Sequence, residues 1–423
     1  MTLSRKKLNL SVGEWISHMI LTLLCVSSMF PPLRTVPYFN YIMALCIFGW
    51  IITMILFYPQ WYLGNIGYNY VAYFLLIATV ILPYMLGDMV VGNRYLGFLH
   101  IPLFYLAFKH NLLQRNNKLS LIIALAILPF IIIVSLRTLI AYRTYEYASR
   151  AAKIQYDEGF ELLRSGVGGY DFIYGLVFLF ALLYLVTLNK TVRMKRGLLL
   201  IVLASLMIMS IIIYQSLFTI ALILLVLTPF VRYFIEANTI QARLATILIF
   251  IFLALFINPL LIGTINFVLS IINENMLAQK LTEIKYFLSS NAMDQFIYHR
   301  YANYSYSLSL IVDYPLLGAI SAPGFKSSVD VFAHGNHSHF IDTIAYFGLF
   351  VFILQISAYT YPILDLIKNY QDQRSSIITI YTLFVILGTI NNITPSIAFF
   401  VYFVTPAVEE YSNNRMPHLT SRF

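Results

Sequence analysis

Apolar runs long enough to cross a lipid bilayer recur from one end of the chain to the other. They lie at about 15–30, 39–58, 70–87, 95–109, 119–139, 170–188, 198–214, 217–234, 244–272, 338–364, 377–393 and 396–408. Crossing the hydrocarbon layer takes about 20 predominantly apolar residues in a helix. Inside lipid the backbone must satisfy its own hydrogen bonds, which leaves helices or a closed barrel. Continuous runs of this length, without strict alternation, predict helices. The chain therefore reads as an all-α, polytopic transmembrane bundle of about twelve helices, with residues 1–423 as a single integral membrane domain. Composition closes the alternative of a soluble fold. Sixty per cent of the residues are hydrophobic and 11% charged, against roughly 25% charged in ordinary soluble domains.

Two of these runs carry a structural question. Only "YQS", Tyr214 to Ser216, separates 198–214 from 217–234. The run at 244–272 contains Pro259 and Gly263, which predicts a broken or interfacial end. The basic N-terminal stretch "MTLSRKK" leads into the first run without a convincing small-residue cleavage site, so the first helix is expected to be retained.

The net charge of +9 is informative by location rather than by sum. Placing the N-terminus in the cytoplasm and alternating sides puts sixteen of the 27 basic residues inside, with six of the 18 acids. Inner loops then hold Arg5, Lys6, Lys7, Lys109, Arg115, Lys118, Lys190, Arg193, Lys195 and Arg196, followed by Arg232, Arg243, Lys368, Arg374, Arg415 and Arg422. This excess matches the positive-inside rule and places both termini in the cytoplasm. Charge distributed in this way encodes topology and implies no nucleic acid. Cys25 and Cys46 both fall inside apolar runs, so neither a disulfide framework nor a thiolate zinc site is expected.

Alternation leaves two long segments outside, at 140–169 and 273–337. Long loops in compact proteins tend to carry function. The first holds Arg143, Arg150, Lys153 and Arg164, with Arg137 just before it. Guanidinium groups on the side where positive charge is disfavoured suit a phosphorylated ligand, which they can grip through paired hydrogen bonds. The alternative is local pairing with Glu146, Asp157, Glu158 and Glu161. In the second loop Arg300 precedes a stretch with Leu308, Ile311 and Val312 on one helical face, stopped by Pro315 and Gly318. A short amphipathic helix against the membrane surface fits this pattern, with Arg300 above the bundle's outer mouth or serving as an interfacial anchor.

That loop closes on "FAHGNHSHFIDTIAYFGLF", residues 332–350, with His334, His337 and His339 ahead of Asp342. Three readings compete for the histidines. They could hold a metal, with Asp330 or Asp342 completing the shell, although the spacing matches no zinc signature. They could be hydrogen-bonded structural groups at the interface. A neutral imidazole could also orient a sugar hydroxyl or accept its proton.

The arrangement resembles the bacterial O-antigen polymerases and the related O-antigen ligases. Members carry a histidine followed by Ser or Asn, an aromatic, an aliphatic and a glycine about eleven residues on. His337, Ser338, Phe340, Ile341 and Gly348 stand in that order here. Upstream, an arginine leads to a "PLLG" turn and a Gly-aromatic pair, matched by Arg300, Pro315 to Gly318, and Gly324-Phe325. A second glycine usual after that turn is replaced by Ala319-Ile320. "GVGGYDFIYG", residues 166–175, is similar to the loop-to-helix junction of repeat-unit polymerases.

The resemblance implies a GT-C-like, multi-pass enzyme of the bacterial cytoplasmic (inner) membrane. It would transfer a glycan from undecaprenyl pyrophosphate to the next lipid-linked repeat unit, at the outer face. The pyrophosphate leaving group is already a stable anion, so arginines can serve without a metal or other cofactor. On this view Arg300 and His337 are catalytic, and Arg143, Arg150, Arg164 and Asp342 bind substrate. A chain-length regulator protein is an expected partner beside the lipid-linked oligosaccharide and the bilayer. The nearest rival is ligation of finished chains to lipid A-core. A flippase or other transporter is a second, disfavoured because no repeat relates the two halves and few ionisable residues lie mid-helix.

Overall fold

A computed structural model of the chain describes residues 11–65, 74–75, 77–86, 105–106, 109–110, 118–145, 148–152, 157–188, 196–271, 281–282, 285, 304–322, 338–391 and 393. Every regular element among them is helical. The long helices are α1 (Val12–Met29), α2 (Phe39–Phe57), α3 (Lys118–Ala141), the shorter α4 (Asp157–Arg164), α5 (Tyr170–Leu188), α6 (Arg196–Glu236), α7 (Ile240–Ile271), α8 (residues 304–313), α9 (His339–Asn369) and α10 (Arg374–Ile390). Two of them, α6 through Leu199–Ser216 and α9, are long and apolar enough to cross a membrane. The predicted runs at 95–109 and 396–408 fall largely or wholly outside the described residues.

The chain gathers into two compact units. The first comprises Met1–Thr228, Leu354–Phe384 and Ile393–Phe423, the second Pro229–Ile353 and Val385–Asn392. Within the first, α1 packs against α2, α3 and α5. Its start is fixed by a capping box: the Ser11 side chain accepts from the Glu14 amide while the Glu14 carboxylate accepts from the Ser11 amide. Such reciprocal bonds satisfy two donors that a helix start otherwise leaves open. Trp50, fully buried, donates its indole N–H to Ser17 Oγ at 2.8 Å. Helix α5 is enclosed on all sides, with Phe172 through Leu182 buried without a break. A helix apolar all round belongs in a core, and this one is the centre of its unit.

Several bonds inside the first unit join positions that the charge pattern assigns to one membrane side. Ser11 and Tyr58 share a 2.7 Å hydrogen bond, and Tyr105 donates to Asp365 at 3.1 Å. At the opposite side Arg34 pairs with Asp171, and Tyr142 shares hydrogen bonds with Ser149 and Ser216.

Two sequence expectations need correction. The runs 198–214 and 217–234 are one uninterrupted helix, α6, of 41 residues. At about 1.5 Å per residue it is roughly 60 Å long, about twice a hydrocarbon layer. Tyr214, Gln215 and Ser216 contain no Gly or Pro, and the Ser216 hydroxyl bonds back to the Ile212 carbonyl at 2.9 Å. The Ser216 hydroxyl is thus accommodated within the helix, and the triplet makes no turn. The even alternation that set sidedness beyond Ser216 relied on that turn. Likewise α7 passes through residues 259–263 as continuous helix, without the predicted break.

Helix α9 is divided where the sequence suggested a smooth span. Gly348 has φ 78° and ψ 175°, splitting it into residues 339–347 and 349–369. The second segment alone, at about 1.5 Å per residue, suffices for one crossing. The first belongs with α8 in the second unit.

Candidate functional site

The second unit assembles around a backbone clasp between the two motif glycines. Helix α8 ends in the turn at Pro315–Leu317, after which Gly318 adopts φ 72° and ψ 172°. That conformation, like the one at Gly348, is essentially restricted to glycine. A Cβ on Gly318 would lie 2.2 Å from the Tyr346 carbonyl oxygen, and one on Gly348 would lie 2.1 Å from that of Leu316. The two backbones therefore touch directly. Leu349 N–H donates to Pro315 O at 2.9 Å. Leu310, Ala319 and Ala345 fill the space beneath, with Ile311 and Tyr314 packed against them. Ile311 thus faces this core, while Leu308 and Val312 remain exposed; the single apolar face expected of all three is split.

A polar cluster lies at the start of α9. Ser338 caps it by accepting from the Ile341 amide at 3.0 Å. Asp342 is fully buried. One carboxylate oxygen accepts from the Ser307 hydroxyl at 2.9 Å, the other from the Ser338 amide at 3.3 Å. Helix α8 and the start of α9 are thereby tied through one buried acid. Both also dock on the end of α10. Tyr304 donates its phenol to Ile390 O at 3.0 Å, His339 N–H donates to Asn391 O at 3.0 Å, and Ser338 Oγ donates to Gly388 O at 3.3 Å. Gly388 admits the Phe340 ring at a distance a methyl group could not tolerate. The Asn391 side-chain nitrogen is buried and finds no partner among the described residues. A buried donor left in this way calls for a ligand or water.

Asp342 therefore holds structure, whatever else it does. Replacing it with alanine is expected to lower stability by about 2–4 kcal/mol, since a buried hydroxyl and a buried amide both lose their acceptor. Asp342→Asn keeps one acceptor oxygen and should lose less. Thermal unfolding of the detergent-solubilised variants reads the difference. Equal melting temperatures for Asp342→Ala and the parent would remove the tie.

Arg300, His334, His337 and Asp330 lie outside the described residues. His339 is buried, with its ring 5.2 Å edge-on from that of Phe340. No group of three or more candidate metal ligands occurs among the described residues.

The first unit carries the other arginines. Arg143 is exposed just beyond α3, and Arg150 lies in the single turn Ala148–Ala151. Their neighbours Tyr142 and Ser149 share a 2.7 Å hydrogen bond, so the two positions are brought together. Arg164, exposed at the end of α4, pairs with Glu161 at 3.5 Å, which is the local pairing the sequence offered as an alternative. Helix α4 ends in a motif with two reversed bonds, Val167 N–H to Leu162 O and Gly166 N–H to Leu163 O, both 3.0 Å. This Schellman ending requires positive φ at Gly166, which has 92°. Arg137 lies against Gly166 and donates to the Ser165 carbonyl. Gly168 N–H donates to Thr138 Oγ1 at 2.8 Å, and a Cβ on Gly169 would come within 2.8 Å of the Ala152 carbonyl. Each glycine of "GVGG" thus has its own reason: positive φ at Gly166, the Phe172 ring against Gly168 and the Ala152 carbonyl against Gly169.

Sequence reasoning missed Arg34. It pairs with Asp171 at the head of α5, and its turn packs against α4. The signal was a basic residue in the short connection "PPLR" and an acid opening an apolar run. It also missed Ser307 and Asn391, and it took Ser338 as a motif residue without the capping role that its place three residues ahead of a helical amide and four ahead of an acid makes readable. No family model, no curated protein and no solved structure matches the chain.

Proposed function

We propose that this protein is a glycosyltransferase of the bacterial inner membrane that polymerises lipid-linked repeat units, in the manner of an O-antigen polymerase. The single observation that supports it is the shared docking of α8 and the start of α9 on residues 388–391. Arg300 stands four residues before Tyr304, and His337 immediately before Ser338. Four residues of extended chain reach at most about 14 Å. Arg300 and His337, far apart in sequence, thus each adjoin in the chain a segment that docks on residues 388–391.

The chemistry follows from the two side chains. Arg300 donates to the pyrophosphate oxygens that gain charge as the glycosidic bond to the donor lipid breaks. His337 orients the acceptor hydroxyl and takes its proton as the new bond forms between that oxygen and the anomeric carbon. The resemblance implies further phosphate contacts from Arg143, which is exposed, and from Arg150. The carrier lipid leaves as the pyrophosphate, and no metal is required for its departure.

A deletion strain tests the reaction. Lipopolysaccharide bearing a single repeat unit is expected on gels, because polymerisation fails while ligation continues. Core with no repeat unit would point instead to the ligase or an earlier step. Sidedness is tested separately by labelling Asn336→Cys with a membrane-impermeant maleimide on intact spheroplasts. Cys25 is buried, and both native cysteines sit in apolar helices, which keeps the background low. Labelling only after permeabilisation would overturn an outer-face site.

A further inference from the structure

We infer that the clasped turn of the second unit is a membrane-embedded foot, whose exposed apolar face rests in the acyl chains of the bilayer. Leu308 is 49% exposed, Val312 77%, Leu316 66%, Leu317 64%, Leu349 42% and Phe350 53%. These residues come from three pieces of structure: α8, its terminal turn and, about thirty residues later in the chain, the first residues after the Gly348 bend. Hydrogen bonds from Leu349 to Pro315 and from Phe350 to Leu316 make them one surface. Leu308 and Val312, four apart, share a face of α8, as side chains at that spacing do.

The clasp explains why this face cannot turn inward. Gly318 and Gly348 fix the backbones against each other, and the opposite side of α8 is already committed through Ser307, Leu310 and Ile311. Contiguous exposed apolar surface of this kind marks an interaction site.

Its occupant is lipid because of what continues from it. Leu349 and Phe350 open residues 349–369, the segment of α9 with the length of one crossing. The patch is therefore continuous in the chain with the start of a segment long and apolar enough to cross a membrane. An interfacial helix with apolar residues on one side lies in just this position, at the boundary of headgroups and acyl chains. Asp313 is exposed on α8, about 100° around the helix from Val312, and marks the side that faces water. This inference rests on the membrane reading of the chain and is independent of glycosyl transfer.

Spin labels test it. In the full-length protein with Cys25→Ala and Cys46→Ala, single variants Val312→Cys, Leu316→Cys and Asp313→Cys are nitroxide-labelled. They are then reconstituted into phosphatidylethanolamine–phosphatidylglycerol vesicles. At positions 312 and 316, collision with oxygen is expected to exceed collision with a water-soluble nickel chelate several-fold, and at 313 the order should reverse. Chelate collision dominating at 312 and 316 would place the patch in water and overturn the inference. Protection from both reagents would overturn it too, by showing a second copy of the chain on this surface. Because the substituted side chains are exposed, the variants should fold, and a melting temperature equal to that of the cysteine-free parent verifies it.

Discussion

Replacing Gly348 with alanine is expected to cost the protein its folded second unit. At φ 78° and ψ 175° an L-residue is strained by about 1–3 kcal/mol before any contact is counted. The added Cβ would lie 2.1 Å from the Leu316 carbonyl oxygen, 2.3 Å from its carbon and 2.5 Å from the Leu317 nitrogen. All three are backbone atoms, so no side-chain rotation relieves the overlap. The clasp must open, and with it go the Leu349–Pro315 hydrogen bond and the packing of Ala319 against Ala345. Since whole domains are stable by only about 5–15 kcal/mol, a loss of this order lowers the yield of folded protein as well as its melting temperature. Gly197→Ala is the matched control: a Cβ there meets nothing within 4 Å, and alanine favours the helix. Indistinguishable melting temperatures for Gly348→Ala and Gly197→Ala would show that no clasp exists.

The second large effect falls on activity rather than folding. Arg300→Ala should reduce repeat-unit polymerisation by about 10²–10³-fold, the usual cost of removing one well-placed donor from a site that stabilises developing negative charge. Arg300→Lys keeps the charge but not the planar fork that matches a phosphate edge, and should fall between. His337→Ala is expected to shorten or abolish the ladder as well, since under the proposed mechanism the acceptor hydroxyl would lose its base. Lipopolysaccharide gels normalised to protein abundance read all three. A normal ladder from Arg300→Ala at parental abundance would remove the arginine from the chemistry, and the same result for His337→Ala would remove the imidazole.

Much of this architecture was legible from hydrophobic runs alone. The helices α1, α2, α3 and α5 fall where uninterrupted apolar stretches put them, because burial of backbone polar groups leaves such stretches no other conformation. Reading failed where one local rule overrode another. Tyr214–Ser216 looks like a connection because it is polar, yet the Ser216 hydroxyl is satisfied within its helix by Ile212 and beside it by Tyr142. Gly348 looks like an ordinary helical glycine because its conformation is dictated by Leu316, more than thirty residues earlier. The candidate site shows the same division. The sequence singled out Pro315–Gly318 and Gly348 as separate marks, and only the fold shows that each is glycine on account of the other. Asp342, which the resemblance implies binds substrate, accepts from Ser307 and Ser338. That partnership joins residues 35 apart and leaves no periodic trace.

The clasp also has an evolutionary corollary. Residues 318 and 348 weld together the two ends of the chain that carries the histidine cluster, so the unit's stability is decoupled from the length of what lies between. Closing a longer flexible loop costs only about 0.6 kcal/mol per doubling of its length. Insertions between Ala322 and Ser338 are therefore cheap, and under the proposed function acceptor preference could diversify there while the supporting scaffold stays unaltered.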